Sequence, residues 1–165
     1  MMKKRYLLLF ALIIAVMQGC QNNGYIGRYF GTWRFDSYSV DGEEITEFEI
    51  RYDDRDFIVP LENITMSFQG TVVSIVTVLD EYSDFTGRKG SWSEDGDQLT
   101  LNFTHYDDKT GEPGKADYAA PSWLGMTSKA PMVMTTSNNK NDSFTLTWID
   151  PEGGQVRVYK MHKTW

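Results

Sequence analysis

Alternation with a period of two dominates this chain, and it constrains the fold more than any other feature. Phe48, Ile50 and Tyr52 alternate with Glu47, Glu49 and Arg51. Ile64, Met66 and Phe68 repeat the pattern, as do Leu99, Leu101 and Phe103, and then Phe144, Leu146 and Trp148. Successive side chains of a strand point to opposite faces, so each run reads as a strand with one dry face. Trp33 and Phe35 share a face, whereas Tyr38 and Val40 fall on the other parity, which predicts a β-bulge near Asp36-Ser37. Thr71 to Leu79 is apolar on both faces and rich in β-branched residues, so it is expected to be buried on both. Lys89 to Ser93, Met132 to Thr136 and Gln155 to His162 supply further strands. Turn chemistry separates them: Asp41-Gly42, the charged stretch 53–56, Gly70, Glu94-Asp95-Gly96-Asp97, Asn138 to Asp142, and Asp150-Pro151-Glu152-Gly153-Gly154. No ten-residue stretch after Cys20 carries a helical period. The pattern predicts an all-β, antiparallel fold of eight or nine strands, a small barrel or a sandwich. A barrel is preferred, because consecutive hairpins close into a meander and closure removes sheet edges.

The N-terminus reads differently. A cationic start, Lys3-Lys4-Arg5, precedes an apolar run from Tyr6 to Met17 and then Gln18-Gly19-Cys20. The run has about 12 residues, short of the roughly 20 a membrane span needs, so residues 1–19 are expected to be a secretory signal. Met17-Gln18-Gly19-Cys20 resembles the bacterial lipobox, in which cleavage precedes an acylated cysteine. Residues 20–27 then form a polar tether, and 28–165 form one domain. Cys20 is the only cysteine, so it is read as lipid attachment, with neither a disulfide nor thiol chemistry expected. The expected partner is a membrane, held through the N-terminal lipid. The tether lacks both an acidic run and an Asp after the cysteine, which points to the outer membrane, with the periplasmic face favoured over the cell surface.

Removing Lys3, Lys4 and Arg5 leaves 13 basic against 23 acidic residues, a net charge of about −10. That surface disfavours nucleic acid, and a monomer is expected.

Gly31-Thr32-Trp33, on the first strand, resembles the Gly-x-Trp motif that opens lipocalins. With the lipobox, Gly90-Ser91-Trp92, Gly96-Asp97-Gln98-Leu99-Thr100-Leu101 and Tyr159-Lys160-Met161, the chain is similar to lipocalin-like lipoproteins of Bacteroides type. The resemblance spans roughly residues 27–163. It implies an eight-stranded barrel with a small-ligand cavity. It also implies structural roles for Gly31, Trp33 and Arg157, with Arg157 of the last strand packed on Trp33.

Catalytic chemistry is thin. His105 and His162 lack metal-ligand spacing, no Gly-x-Ser-x-Gly occurs, and the Asp108-Lys109-Thr110-Gly111 string stands outside any pump context. Neither an enzyme, a metal nor a cofactor is expected. The stretch from His105 to Ala130 interrupts the strands and is dense in aromatics and methionine. Tyr106, Tyr118, Trp123 and Met126, with Met132 and Met134 beyond it, are candidates for adaptable apolar binding. Two readings stay open. One is a barrel binding a small apolar or amphipathic ligand under a loop lid. The other is a filled barrel or sandwich that contacts an envelope protein or glycan.

Overall fold

A computed structural model describes residues 27–52, 54–80, 85–104 and 120–164. The fold is a closed, antiparallel, eight-stranded barrel. Strand β1 (Gly31–Val40) pairs with β5 (Ile64–Gln69) on one side and β11 (Val156–Lys163) on the other. Between them run β6 (Val72–Val78), β7 (Phe85–Asp95), β8 (Gln98–Asn102), β9 (Met132–Ser137) and β10 (Ser143–Ile149), each paired with the next. The two-residue β2 (Glu43–Glu44) adds to the end of β1, and β3 (Glu47–Tyr52) with β4 (Arg55–Pro60) forms a separate hairpin.

Local chemistry explains the register. Asp41 and Gly42 have φ of 52° and 87°, the left-handed pair that a two-residue turn between twisted strands demands. The predicted bulge sits between Phe35 and Ser37 in the β1–β11 register. It returns Tyr38 to the inner face already holding Trp33 and Phe35.

Two expectations are corrected. The pairing of β3 with β4 continues to Tyr52 and Arg55, so Arg55 and Asp56 of the stretch 53–56 are strand and not turn. The segment from Thr71 to Leu79 is not buried on both faces. Val73, Ile75 and Thr77 are buried, whereas Val72 and Val78 are more than two-fifths exposed. A barrel wall is one sheet thick and has one dry face; β-branched residues suit the wet face of a strand as well.

Inside, the barrel is filled. Ile64, Met66, Phe68, Ile75, Leu99, Leu101, Met134, Leu146 and Tyr159 are sealed from solvent. No helix among the described residues is long and apolar enough to cross a membrane.

Candidate functional site

The two barrel ends differ in construction. At one, the Trp33 indole Nε1 donates to the Tyr29 carbonyl at 2.7 Å, and Phe144 meets both rings edge-on at 4.5 and 4.9 Å. Lys163 Nζ lies 5.5 Å from the Trp33 ring centroid, and Arg28 pairs with Glu94 at 3.2 Å. This closed end gives Gly31 and Trp33 structural surroundings, but Arg157 does not join them. Antiparallel register sets Lys163 opposite Trp33 and Arg157 opposite Val40, roughly 20 Å along the strand at about 3.3 Å per residue. Arg157 instead lies over Trp148, with Cζ 5.3 Å from the ring centroid.

The other end is a plugged mouth. Tyr38 and Tyr159 stack at 4.9 Å, and the Tyr159 hydroxyl donates to the Leu124 carbonyl at 3.0 Å. Above them, Phe48 of β3 contacts Tyr38 at 5.8 Å and Trp123 at 5.5 Å. The Leu61 amide donates to the Thr46 carbonyl and closes the base of this hairpin. The 3-10 turn Ser122–Leu124 ends at Gly125, whose φ is 75°. Any Cβ there would collide with Arg157 Nε and approach the Tyr38 hydroxyl at 2.8 Å, so only glycine lets this turn seat on the mouth. Burial pushes the Tyr159 phenol well above its ordinary pKa, and burial raises Tyr38 as well.

Beside the plug runs a groove of about 270 Å3, lined in part by Ser122, Met126, Lys129, Trp148, Asp150 and Arg157. The backbone N–H of Glu152 donates to Asp150 at 2.9 Å and, with that of Gly153, holds the Asp150 carboxyl below the usual carboxylate range. A second groove, about 300 Å3, lies along Asp36, Lys140, Ser143 and Lys160 near the bulge. His162 Nδ1 bonds Asp36 there at 2.6 Å. Among the described residues, no cluster of His, Cys, Asp and Glu could hold a metal ion.

The predicted ligand residues therefore part company. Met132 and Met134 are buried on the inner face of β9 and fill the bore. Met126 and Trp123 reach the mouth: Met126 lines the groove, and Trp123 packs on Phe48. Tyr106, Tyr118, His105 and Cys20 lie outside the described residues. Phe48, Tyr38 and Trp148 were not anticipated at this site. The turns Asp41-Gly42 and 150–154 carry the missed signal, because both close strands at the same barrel end.

No protein-family model matches the sequence, and neither does any curated protein sequence. Among solved structures, the chain is similar to a lipocalin-like protein from Bacteroides uniformis, with a TM-score of 0.52 at 12% identity. That match covers 83% of this chain and 99% of the other. An uncharacterized protein from Bacteroides eggerthii matches with a TM-score of 0.46 at 10% identity, over 81% and 99% of the two chains. The first likeness shows that the barrel is lipocalin-like in fold.

Proposed function

We propose that this is a lipid-anchored envelope protein that binds a small apolar or amphipathic ligand at the plugged mouth of its barrel, without catalysis. The observation carrying this reading is the groove beside the plug, where Met126 and Trp148 stand next to a cation, Arg157. A few polar groups set into apolar walls are what small-molecule sites require. The resemblance to lipocalins points to the bore, but its side chains already occupy it, so the ligand is assigned to the mouth. Cys20 carries the lipid, with the outer membrane as the destination and its periplasmic face favoured. Gly27 lies at the closed end, beside Tyr29. Seven residues from Cys20 reach at most about 25 Å, so the anchor draws the closed end toward the bilayer and turns the mouth away.

Native mass spectrometry of the purified protein, before and after solvent extraction, tests the ligand. A co-purifying or added small amphiphile that displaces the Trp148 indole NMR signal supports the proposal; a bare spectrum with every added amphiphile refutes it. Metabolic labelling with a palmitate analogue tests the anchor, since Cys20→Ala must abolish it.

The filled bore specifically favours a second reading, an interaction lipoprotein whose plugged mouth contacts an envelope protein or glycan. Under that reading, Phe48→Ala alters an envelope pull-down and no small molecule is found.

A further inference from the structure

The groove at the mouth contains a guanidinium that the protein satisfies only in part. Arg157 Nη2 donates to Gln155 Oε1 at 2.9 Å, the Tyr38 hydroxyl lies close enough to share the guanidinium, and Nε and Nη1 are buried without a well-aligned acceptor. Trp148 covers one face of the group, and Gly125 and Tyr38 close on it from the plug. Two of its nitrogens are out of water while the group as a whole is half-buried, and donors held out of water gain from any acceptor that reaches them. The other charged groups along the groove are already engaged. Asp150 accepts the Glu152 amide, and Glu152 Oε2 lies 4.0 Å from Lys129 Nζ.

The present acceptor on Nη2 is also replaceable. Gln155 is exposed, and its oxygen is neutral. An incoming carboxylate that displaces it would take Nη2 with one oxygen and, as the Gln155 side chain withdraws and the guanidinium shifts, Nη1 with the other, the end-on fork that guanidinium offers to two oxygens. A carboxylate brings the guanidinium a full opposite charge and a second oxygen where the amide brings one neutral oxygen, so the exchange is favourable. Two charges of each sign line the groove (Lys129 and Arg157 against Asp150 and Glu152). Such a lining admits a monoanion more readily than a dianionic phosphate. The volume, about 270 Å3, lies just below the range typical of drug-sized ligands and suits a body of about one ring.

We propose that the groove binds a small monocarboxylate with a flat apolar body, its head on Arg157 in place of Gln155 and its body against Met126 and Trp148. This rests on the mouth-binding reading and names its ligand class.

Isothermal titration of the protein with phenylacetate, phenylacetamide and phenylethylamine tests it, with the Trp148 indole resonance reporting location. Phenylacetate is expected to bind at least 10-fold more tightly than the amide, and the amine not at all. Arg157→Met should remove that preference. Gln155→Ala, a substitution at an exposed position with little risk to folding, should tighten phenylacetate binding by clearing the fork. Equal binding of acid and amide at Trp148, or an acid preference that survives Arg157→Met in a folded variant, overturns the carboxylate assignment and leaves mouth binding standing. Failure of all three probes to bind also overturns it, and the solvent-extracted mass spectrum then decides the wider reading separately.

Discussion

Gly90→Ala should destabilise the barrel through its wall, away from the mouth. Gly90 lies on β7 beside Trp92, in the Gly-Ser-Trp string, and opposite Val73. A Cβ built there would stand 2.5 Å from the Asn102 carbonyl oxygen and 2.7 Å from Phe103 Cδ1. Both contacts are far inside ordinary van der Waals distance. Phe103 is 2% exposed, so its ring has no free volume to move into. Asn102 belongs to the β7–β8 ladder through its pairing with Ser91, so its carbonyl can yield only by opening that register. Forcing one methyl into a packed site of this kind costs about 2 kcal/mol. For a chain of this size, that lowers Tm by roughly 4–8 °C. Thermal unfolding followed by circular dichroism measures it, with Gly42→Ala as comparator. Gly42 has φ of 87° and nothing within 4 Å of its Cβ position, so only left-handed strain of about 1 kcal/mol applies there. Adding Phe103→Leu should cost less than the sum of the two single changes, because Leu vacates the space near Cδ1. A Gly90→Ala protein melting within about 1 °C of the parent, well short of the shift expected from overpacking, would refute the close-approach argument.

Trp33→Phe strands the Tyr29 carbonyl that now accepts the indole at 2.7 Å; a loss of about 2–4 kcal/mol is expected, seen as a lower urea midpoint at unchanged slope. Tyr29, Tyr38 and Tyr159 all have phenol pKa values raised by burial. The unfolded chain ionises them near pH 10 while the folded one does not, so their contribution is fully present below pH 10 and is lost as pH rises above it; Tyr159→Phe should flatten that alkaline decline in a pH series of denaturant melts. Phe48→Ala removes the ring joining Tyr38 to Trp123, and hydrogen exchange should then accelerate across β3 and β4 while Leu101 and Leu146 amides stay protected; uniform acceleration would mean that the hairpin is part of the barrel's cooperative unit.

Much of the wall was legible in the chain. Ile64, Met66 and Phe68, or Leu99, Leu101 and Phe103, point inward because a strand alternates its faces whatever lies beside it. The turn at Asp41-Gly42 was equally local, since positive φ at two successive residues is a demand on those residues alone. The β3–β4 hairpin was harder to place. Phe48 and Ile50 alternate like barrel residues, yet their dry face covers the mouth. Alternation records that a face is dry and says nothing of what dries it. The same limit put Thr71 to Leu79 wholly inside, and alternation did not tell that Met132 and Met134 stand on the inner face of β9 and not at the mouth. An apolar side chain reads alike whether it meets a neighbouring strand or a guest.

Arg157 marks the division most sharply. From sequence alone the chain determined an antiparallel β fold, the inward set of side chains on most strands, and the turns between them, because these depend on periods and backbone angles within a few residues. Only the tertiary structure decided that Arg157 rests on Trp148 while Lys163 takes Trp33, since register between β1 and β11 is set by closure of the whole barrel. Whether the bore stays open was decided there too, because it depends on side-chain volumes summed across eight strands that sequence order does not bring together.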